Sequence, residues 1–242
     1  MELTDAIGIW RLFDTQAPPP PAVALVAGVA ALALVLARRP WRLARHVITI
    51  VHEAGHALLA VLSGRRLRGI RLHSDTSGVT VSRGKPTGPG MVLTTFAGYP
   101  APALLGVAFA SLLAAGRMAA LLTIAAVLLL GVLVMVRNAY GVFAVVTVAA
   151  VLAVVALVAP PGVQGVFVYL MTWFLLFGAV RPVFELQAKR RRGAARDSDA
   201  DQLARLTGMP ALLWVLILGV LAVCCLVVGT VLLLEPVAAL TA

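Results

Sequence analysis

Charged residues are scarce in this chain. Of its 242 residues, 12% are charged and 61% are hydrophobic, so most of the chain cannot face water. This composition excludes an ordinary water-soluble globular protein. It predicts a polytopic membrane protein with one membrane domain and no large extramembrane domain.

Acidic residues and cysteines are also few. Ten acidic residues stand against twenty basic ones, which gives a formal net charge of +10. In a soluble protein this excess would suggest nucleic acid. In a membrane protein it is better explained by basic cytoplasmic loops next to anionic lipid, so we expect a bilayer partner and no nucleic acid. The two cysteines, Cys224 and Cys225, are adjacent in an apolar stretch and poorly placed for a disulfide with each other, so we interpret them as helix packing.

The chain divides into a polar N-terminal arm, residues 1–21, and a single membrane-embedded domain, residues 22–242. The arm ends in a run of four prolines, and it does not have the pattern of a cleavable signal peptide. Turn signals and alternation after the second hydrophobic segment predict a β-hairpin over residues 67–84. The fold class is therefore all-α and polytopic, with about seven hydrophobic helices and one short β-hairpin.

The helix boundaries follow from breaks in the apolar pattern. From Met91 to Val180 the chain is almost continuously apolar, and three polar or proline-rich breaks divide it into four helices. The predicted segments are a first helix over residues 22–37, a second over 45–63, four helices separated at 116–117, 137–138 and 160–162, a basic linker over 189–201, and a last helix over 210–234.

The basic residues also predict an orientation. If the helices cross the membrane in alternation, most lysines and arginines fall on the same side as the hairpin, and the positive-inside rule makes that side the cytoplasm. Four arginines are a misfit, because strict alternation puts them outside: Arg38, Arg39, Arg42 and Arg45. Either the first helix does not fully cross, or these arginines are tolerated there.

The second hydrophobic segment carries ionisable residues near its middle. His52, Glu53 and His56 lie within Val47–Ser63, where such groups are costly and usually functional. On a helix, residues four apart share a face, so both imidazoles can bind one ion. Glu53 is placed to take a proton from a water, and His-Glu-x-x-His is a known zinc-protease pattern. The alternative is a buried polar pair that bridges helices.

Several motifs together resemble a known family. The His52–His56 motif in a membrane helix, followed by the sequence GRRLRG and a hairpin, resembles the site-2-protease family of intramembrane zinc metallopeptidases. The segment that begins at Gly98 is similar to the small-residue segment that packs by that family's active site. Arg137-Asn138-x-x-Gly141 and Ser198-Asp199-Ala200 resemble a small, largely membrane-embedded bacterial branch.

The resemblance implies a zinc enzyme of the bacterial inner membrane. Its substrate is a membrane-spanning protein cut near the cytoplasmic face, often after an earlier cut outside the membrane. The hairpin is expected to unwind the substrate helix and to pair with it by strand addition.

One departure from the family concerns the third zinc ligand. The family's usual ligand is an aspartate in an Asp-Gly motif, and this sequence contains no Asp-Gly. A catalytic zinc needs three protein ligands and an open position. The remaining candidates are Asp75, Glu185, Asp197, Asp199, Asp201, His46, His73 and Asn138.

The resemblance favours Asp199, because it matches the branch's Ser-Asp-Ala motif just before the last helix. The alternative is that Asp199 is a solvated helix N-cap. Asn138 is the second candidate ligand, although a neutral amide binds zinc poorly, and Arg137-Asn138 is otherwise a simple helix junction. For His46 we expect interface anchoring rather than ligation. Arg137 and Asn138 are possible accessory groups for catalysis.

The sequence therefore predicts metal-assisted peptide hydrolysis, with zinc held by His52, His56 and a third residue, and with Glu53 as general base. The competing hypothesis is a catalytically silent membrane scaffold or small-solute carrier that retains the zinc-site fold. The intact Glu53 argues against it, and the missing Asp-Gly argues for it.

Overall fold

The computed structural model describes residues 15–16, 20–193 and 197–238. The predicted polar arm lies almost wholly outside these residues. Within them, the chain forms nine helices and one two-stranded sheet. These elements are α1 (Pro21–Leu36), α2 (Arg38–Leu62), β1 (Arg66–Leu72), β2 (Gly78–Arg83), α3 (Pro89–Phe96), α4 (Pro100–Ala114), α5 (Met118–Met135), α6 (Ala139–Val158), α7 (Pro161–Arg191), α8 (Asp199–Thr207) and α9 (Ala211–Ala238).

Four of these helices are long and apolar enough to cross a membrane alone, namely α5, α6, α7 and α9. Two further candidates are bent pairs, α1 with α2 at 102° and α3 with α4 at 66°. The described residues therefore offer four to six spans, and the predicted count of about seven hydrophobic helices is not confirmed. In particular, the HEAGH helix qualifies only together with α1, not as a span of its own.

The bend between α1 and α2 lies at Ala37, whose backbone is extended at φ −73° and ψ 128°. On one side of the bend, α1 runs parallel to α7. Trp173 donates its indole N–H to the carbonyl of Ala24 at 3.0 Å, and the Arg181 guanidinium bonds the carbonyl of Val35. The end of α1 and the arginines that begin α2 therefore lie near the C-terminal end of α7. Strict alternation does not apply here, because α1 and α2 form one bent pair rather than two separate spans.

A buried tryptophan and a carboxylate hold α2 against α7. Trp41 is 2% exposed and packs on Phe174 with ring centroids 6.2 Å apart. Its indole donates to Glu185 at 2.9 Å, and Glu185 also pairs with Arg45 at 3.2 Å and Arg181 at 2.9 Å. Because one carboxylate serves three donors from two helices, it fixes where α2 crosses α7.

The hairpin packs its inner face into the protein. Ile70 and Leu72 are fully buried against α5 and α6, and Ile70 lies opposite Thr80 in the antiparallel register. The outer edge of β1 is closed, because the Arg137 N–H donates to the Ile70 carbonyl at 2.9 Å. The predicted hairpin is confirmed.

Three boundaries differ from the predicted ones. The predicted apolar helix that begins at Met91 is broken at residues 97–99 into α3 and α4. Helix α7 continues through Pro182 to Arg191, inside the predicted basic linker. The last three residues of that linker, 199–201, begin α8, which is capped by Ser198 and ends at Gly208 in the left-handed conformation, φ 76°. Both ends of the predicted linker are therefore helical.

Candidate metal centre

Helix α2 brings two imidazoles to one point. His52 and His56 are one turn apart, and their Nε2 atoms lie 3.0 Å from each other. His56 is 8% exposed, and Glu53 beside it is 4% exposed. The spacing on the helix therefore produces the convergence expected from the sequence.

Helix α8 brings a carboxylate to the same point. One oxygen of Asp199, Oδ2, lies 3.2 Å from Nε2 of His52 and 3.3 Å from Nε2 of His56. These three side chains form a group whose ligand atoms all lie within 4.8 Å of one another. Asp199 is the first residue of α8 and its side chain is largely buried, so it is not the solvated N-cap of the alternative reading; the cap is Ser198.

The position of Asp199 depends on how α8 is held. The Ser198 hydroxyl donates to Asp201 at 2.5 Å, and the Arg190 guanidinium at the end of α7 pairs with the same carboxylate. Ala200 and Leu203 on the other face of α8 are fully buried. Charge pairing on one side and apolar burial on the other therefore aim Asp199 at the imidazoles.

The ring of His56 is oriented by a backbone carbonyl. Its Nδ1 lies 2.7 Å from the carbonyl oxygen of Thr94 in α3, and a carbonyl can only accept, so Nδ1 carries the proton. Nε2 faces Asp199 and His52, and in the neutral imidazole this is the nitrogen whose lone pair can bind a metal. An outer hydrogen bond of this kind is typical of histidines that bind metals.

A glycine in the break between α3 and α4 makes room for the centre. A Cβ atom at Gly98 would lie 2.3 Å from Nε2 of His56 and 2.6 Å from Cε1 of His52. Tyr99 follows and meets the His52 ring edge-on, with centroids 4.9 Å apart. The small-residue segment therefore lies directly against both imidazoles.

The donor set fits a zinc ion. Two ligands about 2.1 Å from zinc in a tetrahedral arrangement are about 3.4 Å apart, and the observed separations are 3.0, 3.2 and 3.3 Å. Burial opposes ionisation of Asp199, but the two imidazoles outweigh it and hold the pKa of this carboxyl well below its usual value. One anionic oxygen and two imidazole nitrogens are the ligand types of catalytic zinc sites.

The Glu53 carboxylate, beside this group, is held by the hairpin. The Thr80 hydroxyl on β2 donates to Oε2 of Glu53 at 2.7 Å and lies 3.0 Å from its backbone carbonyl. A Cβ atom at Gly78 would lie 2.6 Å from Oε1, so the absence of a side chain there leaves room for the carboxylate. The hairpin therefore sets the position of the carboxylate that the sequence predicts as the general base.

The accessory candidates lie at the hairpin junction. The Asn138 amide donates to the Leu72 carbonyl at 2.7 Å and accepts from the Leu72 N–H at 3.1 Å. Both polar side-chain atoms of Asn138 therefore bond to backbone groups. The Arg137 guanidinium donates to the backbone carbonyls of Val134 and Val136. The structure gives these residues a place in holding β1, and it does not bring Asn138 into the group of three.

The other candidate ligands also have partners elsewhere. Asp75 accepts from Ser77 within the hairpin turn, and Asp197 faces solvent. His46 accepts from the Tyr140 hydroxyl at 2.8 Å, which links α2 to α6, and His73 approaches Ser77. Glu185 and Asp201 pair with arginines, as described above.

Comparison with known proteins assigns the family. A family model described as Peptidase M50B-like matches residues 25–229. The chain belongs to this family. The resemblance to site-2 proteases, drawn from motifs, is thereby confirmed, and membership in the Peptidase M50B-like family supports an integral membrane metallopeptidase at the family level. No curated protein and no solved structure matches the chain with significance.

Two contacts of this Peptidase M50B-like site were missed by sequence reasoning. The alternation of β2 places Thr80 on the same face as Gly78, which is a signal that a polar residue faces α2. Thr94 acts through its backbone carbonyl, so no side-chain pattern could have identified it.

Proposed function

We propose that the protein is an intramembrane zinc metalloprotease that hydrolyses peptide bonds of membrane-spanning proteins near the cytoplasmic face. The observation that carries this proposal is the convergence of His52, His56 and Asp199. Glu53 directly follows His52 in α2. These residues are proposed to hold one zinc ion through two Nε2 atoms and one carboxylate oxygen.

The chemistry divides between the ion and the chain. Zinc, when bound, supplies a Lewis acid that polarises the scissile carbonyl and lowers the pKa of water. Glu53 takes a proton from the attacking water on a carboxylate oxygen and passes it to the nitrogen of the leaving amine. The Thr80 hydroxyl holds the Glu53 carboxylate through Oε2, which leaves Oε1 to receive the proton.

The hairpin offers one edge for a substrate. The edge of β1 is occupied by residues 136–138, whereas the outward backbone groups of β2 make no hydrogen bond within the described ranges. An unwound substrate segment can add beside β2 by main-chain hydrogen bonds. Because β2 also carries Thr80, the added segment would run next to the base.

The basic residues support a cytoplasmic active site. The hairpin lies at the junction of α5 and α6, and α6 joins α7 through two residues, so the hairpin and the C-terminal end of α7 share one end of the molecule. That end also carries the arginines that begin α2. Among lysines and arginines of the described ranges, only Arg117 lies at the other end. By the positive-inside rule the hairpin end is cytoplasmic, and we place the protein in a bacterial inner membrane.

The competing hypothesis is a catalytically silent scaffold or solute carrier. Its support was the missing Asp-Gly motif, which would have supplied the family's usual third zinc ligand. The position of Asp199 beside both imidazoles supplies a third donor and weakens that argument.

Proteolysis by reconstituted protein separates the two functions. Purified protein in proteoliposomes is mixed with a panel of single-span model substrates, and cleavage is followed by gel and mass spectrometry. We expect wild type and Asp197→Asn to cleave, and Glu53→Gln to be inactive while it keeps its zinc. Zinc-loaded wild type that cleaves none of the panel, or Glu53→Gln that cleaves normally, would contradict the proposal.

A further inference from the structure

The outer face of the hairpin carries an unusual set of side chains. All of them are exposed, and the two apolar ones are 49% and 42% exposed. None of the arginines among them has a hydrogen bond or ion pair within the described part of the chain. The set comprises Arg66, Arg68 and Arg71 on β1, and Val79, Val81 and Arg83 on β2.

Two of these arginines face each other. Arg66 pairs with Arg83 in the antiparallel register, and like charges directly opposite each other destabilise a sheet. Neither guanidinium forms an ion pair with an acidic side chain among the described residues, so no such pair offsets the repulsion. An anionic group that approaches this end of the hairpin would relieve the repulsion.

The order along β2 determines what shape of partner fits. Val79, Val81 and Arg83 are alternate residues on the outer face, and the residues between them face inward toward α2. A strand added to the open edge of β2 would place its own alternate side chains about 5 Å from these three. Its remaining side chains would face inward, on the side where Thr80 meets Glu53.

We propose that the outer face of the hairpin selects an extended substrate segment with a particular pattern at every second position. Two successive such positions carry apolar residues, which lie beside Val79 and Val81, and the next carries an acidic residue, which lies beside Arg83. This inference rests on the proposed function, because it names the substrate class of that site. A peptide fits better than a lipid headgroup, because the valines and the arginine follow the two-residue period of a strand. A headgroup would need only the charge.

The register predicts discrimination between two peptides. The probes are fluorescent nine-residue peptides with valine at two alternate positions and either glutamate or lysine at the next alternate position. Binding to full-length Glu53→Gln protein in a zwitterionic detergent is measured by anisotropy at low salt. We expect the glutamate peptide to bind more tightly by on the order of fivefold, as for a cross-strand charge pair.

Substitutions at one residue test the register directly. Arg83→Glu should reverse the preference, and Arg83→Ala should abolish it. Both variants should fold, since the first replaces the Arg66 repulsion with attraction and the second removes it, and thermal unfolding checks this. Arg117→Glu, an exposed arginine at the other end of the molecule, is the matched control and should leave the preference unchanged.

Three results would overturn the inference: equal affinity for the two peptides, a preference that survives Arg83→Glu, or an effect of Arg83→Glu only on binding to phosphatidylglycerol-containing rather than phosphatidylcholine vesicles. The last would make the face a lipid contact. Because binding is measured on Glu53→Gln protein, these results do not depend on hydrolysis. Failure of the proposed protease activity would appear separately, in the cleavage of model substrates.

Discussion

Gly98 offers the sharpest perturbation of the centre that leaves every ligand in place. A Cβ atom at this position would lie 2.3 Å from Nε2 of His56, where ordinary contacts begin at 3.4 Å. The imidazole or the backbone of the α3–α4 break must therefore move by about 1.1 Å, whereas zinc–ligand distances tolerate about 0.2 Å. Retreat of the ring is opposed by the bond from Nδ1 to the Thr94 carbonyl.

Gly98→Ala should therefore lower zinc affinity by about 100-fold, the upper range for changes next to metal ligands. The assay is zinc content per chain, followed by competition with a chromogenic chelator. Gly131→Ala in the interior of α5 is the matched control, because no described atom beyond its own stretch of helix lies within 4 Å of its Cβ position. This variant should keep wild-type zinc affinity and be more stable by up to about 1 kcal/mol. Wild-type zinc affinity in Gly98→Ala would refute this packing of the centre.

Two further predictions concern the residues that position the site. Asp201→Asn removes the charge pair with Arg190 that holds α8, so zinc affinity measured by chelator competition should fall about tenfold. Asp197→Asn is the control and should have no effect. Equal zinc affinities in the two variants would contradict the role given to α8. Thr80→Val should lower kcat about tenfold on a cleaved model substrate, with KM and zinc content unchanged and with recovery in Thr80→Ser. Thr49→Val, which breaks a different bond between α2 and the hairpin, should leave kcat unchanged, and an equal loss in both variants would reduce Thr80 to a purely structural role.

The sequence predicted the parts of the site that depend on local spacing. His52 and His56 converge because they are four residues apart on a helix, and the hairpin forms because alternating residues flank a turn. Asp199 was selected by motif resemblance, and the structure brings it to the imidazoles, although its role as a ligand stays a prediction. Local spacing and the family motif together therefore predicted the three residues that come together in the structure, His52, His56 and Asp199.

What could not be predicted depends on contacts between distant segments. The bend at Ala37 lies between two helical patterns, and it is held in place by the fit of α1 against Trp173 and Arg181. The break at residues 97–99 lets Gly98 approach the imidazoles, a requirement that exists only once α2 has packed there. The partners of Asn138 and Glu185 are likewise far away in sequence.

Helix α8 is a different case, because its signals were present. Ser198 followed by Asp201 is a capping pair, and Gly208 followed by Pro210 is a helix stop. The charged composition of this segment concealed a nine-residue helix, since its buried face consists of little more than Ala200 and Leu203. Short helices of this kind are stabilised by docking rather than by their own propensity.

The decisive measurement of the proposed zinc site is the zinc content per chain, determined by mass spectrometry on detergent-purified protein without chelators. We expect about one zinc in wild type and in Asn138→Ala, and none in His56→Ala or Asp199→Ala. Asp197→Ala, two residues from the proposed ligand, should keep its zinc. Zinc-free wild type, or zinc retained in Asp199→Ala and lost in Asn138→Ala, would rule out a site formed by His52, His56 and Asp199.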